Sequence, residues 1–117
     1  MATPIKHLEP GTRMSQAVVA NGFVFLAGQV AANAAEGVEG QTRQILAEID
    51  RLLAAAGTDK TRIVSATVYL ADMAAFASMN RAWDSWVAAD AKPARATIEA
   101  RLASSEYLVE IQITAAA

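Results

Sequence analysis

Two runs of strand-forming residues open the hydrophobic pattern of the chain. Residues 15–19 and 23–30 carry β-branched or aromatic side chains, and Asn21-Gly22 between them is the dipeptide most typical of a tight hairpin turn. Over residues 38–56 the apolar positions recur at helical spacing, and Gly57 follows where a left-handed cap is expected. This half of the chain therefore predicts two antiparallel strands and then a helix.

The second half of the pattern predicts a strand, a helix and two more strands. Ile63–Leu70 is β-branched and aromatic, and Asp72 after it can cap a second helix. The apolar stripe of that helix, which we assign to core packing, consists of Phe76, Met79, Trp83, Trp86 and Val87. Pro93 ends this region, and strands follow at residues 94–102 and 108–115. The predicted order is ββαβαββ, an α+β fold with a mixed sheet and two helices on one face.

Alternation in the last two predicted strands assigns their faces. The first strand has an apolar face of Ala94, Ala96, Ile98, Ala100 and Leu102 and a polar face of Arg95, Thr97, Glu99 and Arg101. In the second strand Val109, Ile111 and Ile113 oppose Leu108, Glu110, Gln112 and Thr114. Because two helices cover only one face of a sheet, we expect the apolar faces to meet the helices. The polar face would then carry any chemistry.

Composition indicates a small core. The chain has 117 residues, of which 54% are hydrophobic, but alanine alone accounts for 28 residues. This length predicts one domain over residues 1–117. A domain of this size buries only about two-thirds of its unfolded surface, so we expect it to gain further burial by self-association.

Charge and residue usage disfavour several classes of chemistry. The net charge is −2 and no run of Lys or Arg occurs, which disfavours nucleic acid as a partner. Cysteine is absent and His7 is the only histidine, so thiolate nucleophiles, cysteine-ligated zinc, Ser-His-Asp triads and multi-histidine metal sites are disfavoured. We therefore predict no metal and no cofactor, and we expect His7 to be an exposed or structural residue.

We expect neither membrane insertion nor export. Residues 14–35 are uncharged, but several polar side chains interrupt them, so they do not predict a transmembrane helix. Residues 1–9 lack the apolar core of a signal peptide. The prediction is a cytoplasmic protein.

Short motifs distributed along the chain form a recognisable set. They are Ser15-Gln16-Ala17, Leu26-Ala27-Gly28-Gln29-Val30, Gln41-Thr42, Val68-Tyr69-Leu70, Asp72-Met73, Phe76, Met79-Asn80, Pro93-Ala94-Arg95 and Val109-Glu110-Ile111. In this order and spacing they resemble the RidA/YjgF family of small enamine and imine deaminases, over nearly the whole chain. The resemblance implies a chorismate-mutase-like fold and a homotrimer whose sheets pack into a central barrel, with sites between subunits.

The resemblance also implies roles for individual residues. Arg95 would clamp the substrate carboxylate through its planar fork of donors, and Glu110 would hold or activate water. Asn80, Gly28 and Gln29 would contact substrate or water. Structural roles stay open for all of them: Arg95 paired with Glu99 or Glu110, Glu110 in an interface ion pair, Asn80 exposed on its helix, and Gly28-Gln29 as a bend in the sheet.

Three positions depart from typical deaminases of that family. Met14 stands where they have a tyrosine, Ala27 where they often have a serine, and Thr97 where they often have a cysteine. The implied activity is metal-free hydrolysis of reactive enamines or imines such as 2-aminoacrylate, as by a 2-iminobutanoate/2-iminopropanoate deaminase. Met14 and Ala27 leave an alternative open, a non-catalytic trimer that binds a small carboxylate or regulates a partner. Ribonuclease activity, attached to relatives, is disfavoured by the acidic charge.

Overall fold

One mixed sheet of six strands carries two helices on one of its faces in the computed structural model, which describes residues 4–117. The strands are β1 (Ile5–Pro10), β2 (Ser15–Ala20), β3 (Phe23–Leu26), β4 (Ile63–Leu70), β5 (Ala94–Glu99) and β6 (Val109–Ala116). The helices are α1 (Val38–Ala55) and α2 (Phe76–Trp86). The sheet order is β1-β2-β3-β6-β4-β5, in which only the β4–β5 pair is parallel.

The predicted α+β class is confirmed, but the predicted number of strands is too low by one. β1 pairs with β2 and forms one edge of the sheet, and His7 lies on it opposite Val18. All but one of the residues of β1 are exposed, and its sequence, IKHLEP, shows no alternation of apolar and polar residues. The hydrophobic pattern therefore does not predict this strand. The prediction of a cytoplasmic location rests in part on residues 1–9, of which residues 1–3 lie outside the described residues.

Local signals in the sequence place the turns correctly. Asn21 and Gly22 have φ values of 50° and 83°, the left-handed pair that a type I′ hairpin turn requires between β2 and β3. Gly57, at φ 84°, follows α1, and the amides of Gly57 and Thr58 donate to the carbonyls of Ala54 and Leu53. These two bonds form a Schellman cap, so the predicted end of the first helix is confirmed.

The core lies between the two helices and the sheet face that they cover. From α1 it contains Ile45, Leu46, Ile49, Leu52 and Leu53, all at most 2% exposed. The sheet contributes alternate residues, among them Val24, Val68, Ile111 and Ile113. The apolar face of β6 therefore meets the helices as predicted.

The face assignment of β5 is wrong. Arg95 pairs in register with the buried Ala66 of β4 and projects to the helix side, whereas Ala94, Ala96 and Ile98 are exposed on the opposite face. An alanine side chain has little apolar area, so its exposure on that face of the sheet costs little free energy. The long side chain of Arg95 reaches the aromatic residues of α2 on the helix side. The polar residues of β5 thus face the helical layer at its edge.

The face of the sheet away from the helices, which we call the open face, exposes large apolar side chains. Ile5, Phe23 and Phe25 lie on the paired strands β1 and β3 around β2 and are 60%, 41% and 44% exposed. Ile98, at the other end of the sheet, is 45% exposed. Within residues 4–117, no helix has both the length and the apolar character needed to cross a membrane.

Candidate functional site

Arg95 and Asn80 form the first group of predicted site residues. Arg95 lies on β5 at the edge of the sheet, and α2 presents Asn80 above it. The Nη1 of Arg95 donates to Oδ1 of Asn80 at 2.8 Å and lies 3.7 Å from Sδ of Met79. The structure therefore brings together the arginine and the amide that the sequence motifs single out.

Two aromatic rings of α2 complete the surroundings of Arg95. The guanidinium carbon lies 5.0 Å from the ring centroid of Trp83 and 5.8 Å from that of Phe76, both within the range of cation–π attraction. Trp83 is 7% exposed, whereas Phe76 is 43% exposed. The apolar stripe of the second helix predicted only core packing for these two residues, because helical spacing does not reveal which strand residue lies opposite.

The guanidinium of Arg95 has no carboxylate partner among residues 4–117. It is not ion-paired with Glu99 or with Glu110, so both pairings left open by the sequence are absent from the described chain. Burial lowers the pKa of Arg95 from its ordinary value, and the charge of Asp84 opposes this shift. Only Nη1 donates to protein atoms, so Nε and Nη2 are without a described acceptor. This arrangement leaves two nitrogen atoms of the guanidinium open to an acceptor.

Glu110 and Gly28 form a second group of predicted site residues. Gly28 follows β3 and lies directly against the Glu110 side chain of β6. A Cβ at position 28 would collide with Oε2 of Glu110 and lie 3.0 Å from its Cδ. The absence of a side chain at Gly28 therefore leaves the space that the Glu110 carboxylate occupies.

Gln29, which follows Gly28, pairs through its backbone with Ile111, the residue after Glu110. Its amide donates to the Ile111 carbonyl at 2.9 Å, and its carbonyl accepts from the Ile111 amide at 3.1 Å, which aligns the segment with β6. Its buried side chain instead donates to Oε1 of Gln16 and to the carbonyl of Ala27, each at 3.0 Å. Gln16 and Gln29 line a separate cleft of about 390 Å³ beside α1.

The two groups lie on opposite faces of the sheet. Arg95 pairs in register with Ala66 of β4, and Glu110 pairs with Tyr69 of the same strand. Ala66 and Tyr69 are three residues apart, and side chains at an odd spacing along a strand point to opposite faces. One copy of the chain therefore cannot apply Arg95 and Glu110 to the same small molecule.

Two of the three departures from the family pattern lie next to the two groups in the chain, one beside each group. Met14 is 53% exposed just before β2. Ala27 directly precedes Gly28, and its amide donates to the Gln16 carbonyl at 2.9 Å. Thr97 is half-buried on β5, two residues after Arg95 and on the same face. Two departures thus adjoin predicted site residues in the chain.

A cleft of about 670 Å³ lies apart from both groups. Its lining consists of Ala71, Glu99, Ala100, Arg101, Leu102, Ala103, Ser104, Ser105 and Tyr107. None of the five predicted site residues lines this cleft, so the volume of a cleft does not by itself identify the predicted site in this protein. Among residues 4–117, no three His, Asp or Glu side chains are grouped closely enough to hold a metal ion.

Comparison with known proteins agrees with the motifs and with the fold. The family model described as Endoribonuclease L-PSP matches residues 4–117. A RutC family protein of Haemophilus ducreyi is 50% identical over 112 residues, covering 96% of each chain. The RutC family protein YoaB of Escherichia coli is 40% identical over 112 residues, covering 96% of this chain and 97% of its own.

A solved structure gives the same result. The crystal structure of a YjgF family member from Neisseria meningitidis superposes with a TM-score of 0.94 at 50% identity, covering 97% of this chain and 94% of its own. The match includes the mixed sheet with two helices on one face. The chain therefore belongs to the Endoribonuclease L-PSP family, which is the RidA/YjgF family that the sequence motifs indicate.

Proposed function

We propose that this protein hydrolyses reactive enamines and imines of the 2-aminoacrylate type to 2-oxo acids and ammonia, without a metal. The observation that carries the proposal is the state of Arg95, a half-buried guanidinium with no carboxylate partner among the described residues. A partly desolvated cation is stabilised by an anion, and a planar carboxylate fits its fork of donors. Every 2-imino acid carries such a carboxylate.

The chemistry requires little from the protein once the carboxylate is held. Water adds to the electrophilic imine carbon, and the resulting carbinolamine expels ammonia and leaves a 2-oxo acid. Holding the imine and one water in a reactive geometry accelerates such a step by proximity and orientation. Glu110 is the proposed residue for holding that water and accepting its proton.

The division of the candidate residues between two faces supports a site shared by two copies of the chain. We propose that Arg95 and Asn80 of one subunit meet Glu110 and Gly28 of the next in a homotrimer. The exposed apolar residues of the open face, Phe23, Phe25 and Ile98, are suited to burial between subunits. The small core predicted from composition favours the same association.

Release of ammonia from 2-iminopropanoate and 2-iminobutanoate tests the activity. An amino-acid oxidase generates both imines in place, and the proposed enzyme should release ammonia well above the spontaneous rate. A rate equal to the spontaneous one, together with carboxylate binding, would contradict the enzyme. That result would instead support the alternative, a carboxylate-binding trimer without turnover, which Met14 and Ala27 favour because they remove two hydroxyl groups.

Mixed trimers test whether two subunits share each site. Arg95→Ala and Glu110→Gln chains are inactive separately in the proposed mechanism, and they should regain activity when they are unfolded and refolded together. Random assembly would restore roughly one-quarter of the sites, since each intact site takes Arg95 from one variant and Glu110 from the other. No recovery in properly assembled mixed trimers would refute the shared site.

The family description names an endoribonuclease, but the charge of this chain favours a small carboxylate as its ligand. The net charge is −2, and three surface arginines, Arg43, Arg51 and Arg81, are paired with glutamates. Binding of RNA normally requires an unpaired basic surface. A cytoplasmic location stays a prediction from the sequence.

A further inference from the structure

The contact between Trp83 and Arg95 has a geometry that core packing does not require. The ring of Trp83 is nearly buried, and the guanidinium lies over it at 5.0 Å from the centroid. Asn80 holds one end of the same guanidinium through Nη1 at 2.8 Å. Phe76 and Met79 also contact the cation, and among residues 4–117 no carboxylate lies within ion-pair distance of it, although the charge of Asp84 acts on it from farther away.

Such surroundings fix the direction of the guanidinium. An amide acceptor satisfies one donor, and an aromatic face attracts the cation without occupying any of its in-plane donors. A carboxylate in place of the indole would instead bind the fork that a ligand needs. The ring therefore stabilises the charge and leaves Nε and Nη2 available.

We infer that Trp83 is a positioning residue whose indole face holds the guanidinium of Arg95 so that its unpartnered edge is presented to a ligand carboxylate. This inference rests on the proposed role of Arg95 as the carboxylate clamp. Trp83 does not touch the substrate in this arrangement. Its effect on binding is transmitted entirely through the orientation of the arginine.

Trp86 provides a matched control on the same helix. Its ring packs 5.4 Å from that of Trp83, but its other contacts are with Lys60, which lies over the ring at 5.3 Å, and with Asp50, which accepts from Nε1 at 3.0 Å. A change at Trp86 thus disturbs the packing of α2 without removing the ring beneath Arg95. A merely structural role of Trp83 predicts equal effects at both positions.

The first experiment measures binding of 2-oxobutanoate, a stable 2-oxo acid, by calorimetry. Trp83→Leu should weaken binding by about threefold to thirtyfold, the range expected for loss of one cation–π contact, and Trp83→Phe should recover most of it. Trp86→Leu should bind as the unmodified protein does. In turnover assays Trp83→Leu should also lower kcat, because a misdirected carboxylate misplaces the imine carbon.

A second experiment avoids any change of shape. In a Trp86→Phe background, Trp83 is the only tryptophan, so mono-, di- and trifluorotryptophan can replace it during expression. Each fluorine withdraws electron density from the ring face and weakens its attraction for a cation. The dissociation constant for 2-oxobutanoate should rise stepwise with fluorine number, and the emission of Trp83 should respond to the ligand.

The outcomes separate this inference from the proposed function. If Arg95→Ala binds 2-oxobutanoate as well as the unmodified protein does, the clamp is wrong and the inference about Trp83 falls with it. If Arg95→Ala loses binding but fluorination has no effect, the clamp stands and Trp83 is only a packing residue. A stepwise loss with fluorine number, seen together with unchanged binding in Trp86→Leu, supports the inference.

Discussion

Among the described residues Arg95 has no carboxylate within ion-pair distance, which distinguishes it from three other arginines of the chain. Arg43, Arg51 and Arg81 each bind a glutamate at the surface within 2.8 Å. Such exposed pairs contribute little to stability, and solvent and salt screen them. Arg95 instead relies on an amide and two rings. Substitution at this residue should therefore affect ligand binding more than folding.

Arg95→Ala should remove carboxylate binding and most turnover while the protein stays folded. A hydrogen bond to a charged group contributes about 1.5–3 kcal/mol, so kcat/KM should fall by roughly ten- to more than a hundredfold. Arg95→Lys should recover little, because an ammonium group lacks the bidentate fork. Steady-state kinetics on 2-iminopropanoate measure the effect, with circular dichroism and light scattering as controls. Near-normal turnover in a folded Arg95→Ala protein would reject the clamp.

Gly28→Ala should separate activity from stability. The added methyl group collides with the end of the Glu110 side chain, which is flexible and can move aside. The free energy of unfolding should change by less than about 1 kcal/mol, whereas displacement of the proposed base should lower kcat at least about tenfold.

Gly37→Ala is the matched control, because a Cβ there meets no atom within 4 Å. Denaturant unfolding and turnover are measured on both variants. Equal turnover in the two would show that the position of the Glu110 carboxylate is unimportant.

At the scale of elements, the sequence predicts what depends on local chemistry. The Asn21-Gly22 turn and the Gly57 cap follow from backbone preferences within a few residues. Asp72 accepts from the Ala74 amide at 2.9 Å, but it caps the short 3-10 turn Met73–Ala75, whereas α2 itself begins at Phe76 without a side-chain cap. The face of β5 depends on register with a distant strand. Alternation shows that Arg95 and Ala94 face opposite ways, but not which of the two faces the helices.

The same distinction applies to the candidate site. Motifs identify Arg95, Asn80, Glu110 and Gly28, but their separation into two groups requires the sheet order, which the sequence does not reveal. The contact of Trp83 with Arg95 cannot be predicted from the sequence, because an aromatic residue in the apolar stripe of a helix indicates core packing whether or not a cation lies against it.

Gln41 connects α1 to the segment before it and to the segment before β6. Its substitution therefore tests how much these connections stabilise the fold. Gln41 is fully buried on α1, where Nε2 donates to the carbonyls of Ala34, Glu36 and Glu106 and Oε1 accepts from the Leu108 amide. Gln41→Leu leaves these backbone groups without their partner. We expect the free energy of unfolding to fall by about 2–4 kcal/mol.

Gln44→Leu is the control, since Gln44 bonds only the exposed backbone of Asn33. It should lower the free energy of unfolding by less than about 1 kcal/mol. Denaturant titration gives both values. Equal midpoints would mean that water replaces the bonds of Gln41 without cost.

At the scale of the whole molecule, the sheet has one face for the core and one for the proposed assembly. The rings of Phe23 and Phe25 lie 6.3 Å apart on the open face, beside the exposed Ile5. An apolar sheet face of this kind is typical of an interface between subunits. In this proposal folding and assembly use different sides of one sheet, and we expect that they can be perturbed separately.

Phe25→Glu should dissociate the proposed trimer and abolish turnover while leaving the chain folded. The side chain is 44% exposed in the single chain, so the substitution adds no buried charge to the core, but it would place one in each subunit interface. Light scattering, circular dichroism and ammonia release measure the three properties. Ala47→Glu, on the exposed surface of α1, should stay trimeric and active. An active Phe25→Glu monomer would refute the shared site.

Turnover should persist in the presence of EDTA. The chain has no cysteine and one histidine, and residues 4–117 hold no metal-binding group of His, Asp or Glu side chains. The proposed mechanism uses only Arg95, Glu110 and water. Loss of ammonia release on chelation, followed by recovery with a divalent ion, would overturn the metal-free mechanism.

In the proposed trimer, where Arg95 and Glu110 on opposite faces of the sheet meet across subunits, the amount of protein becomes a variable of the reaction. A dissociated chain would hold only half of each proposed site, so mass action would govern catalytic output. Well below the dissociation constant of a trimer, the concentration of complete sites rises with the cube of the chain concentration. In that concentration range specific activity should fall sharply on dilution, and halving the supply of this chain would remove far more than half of the activity.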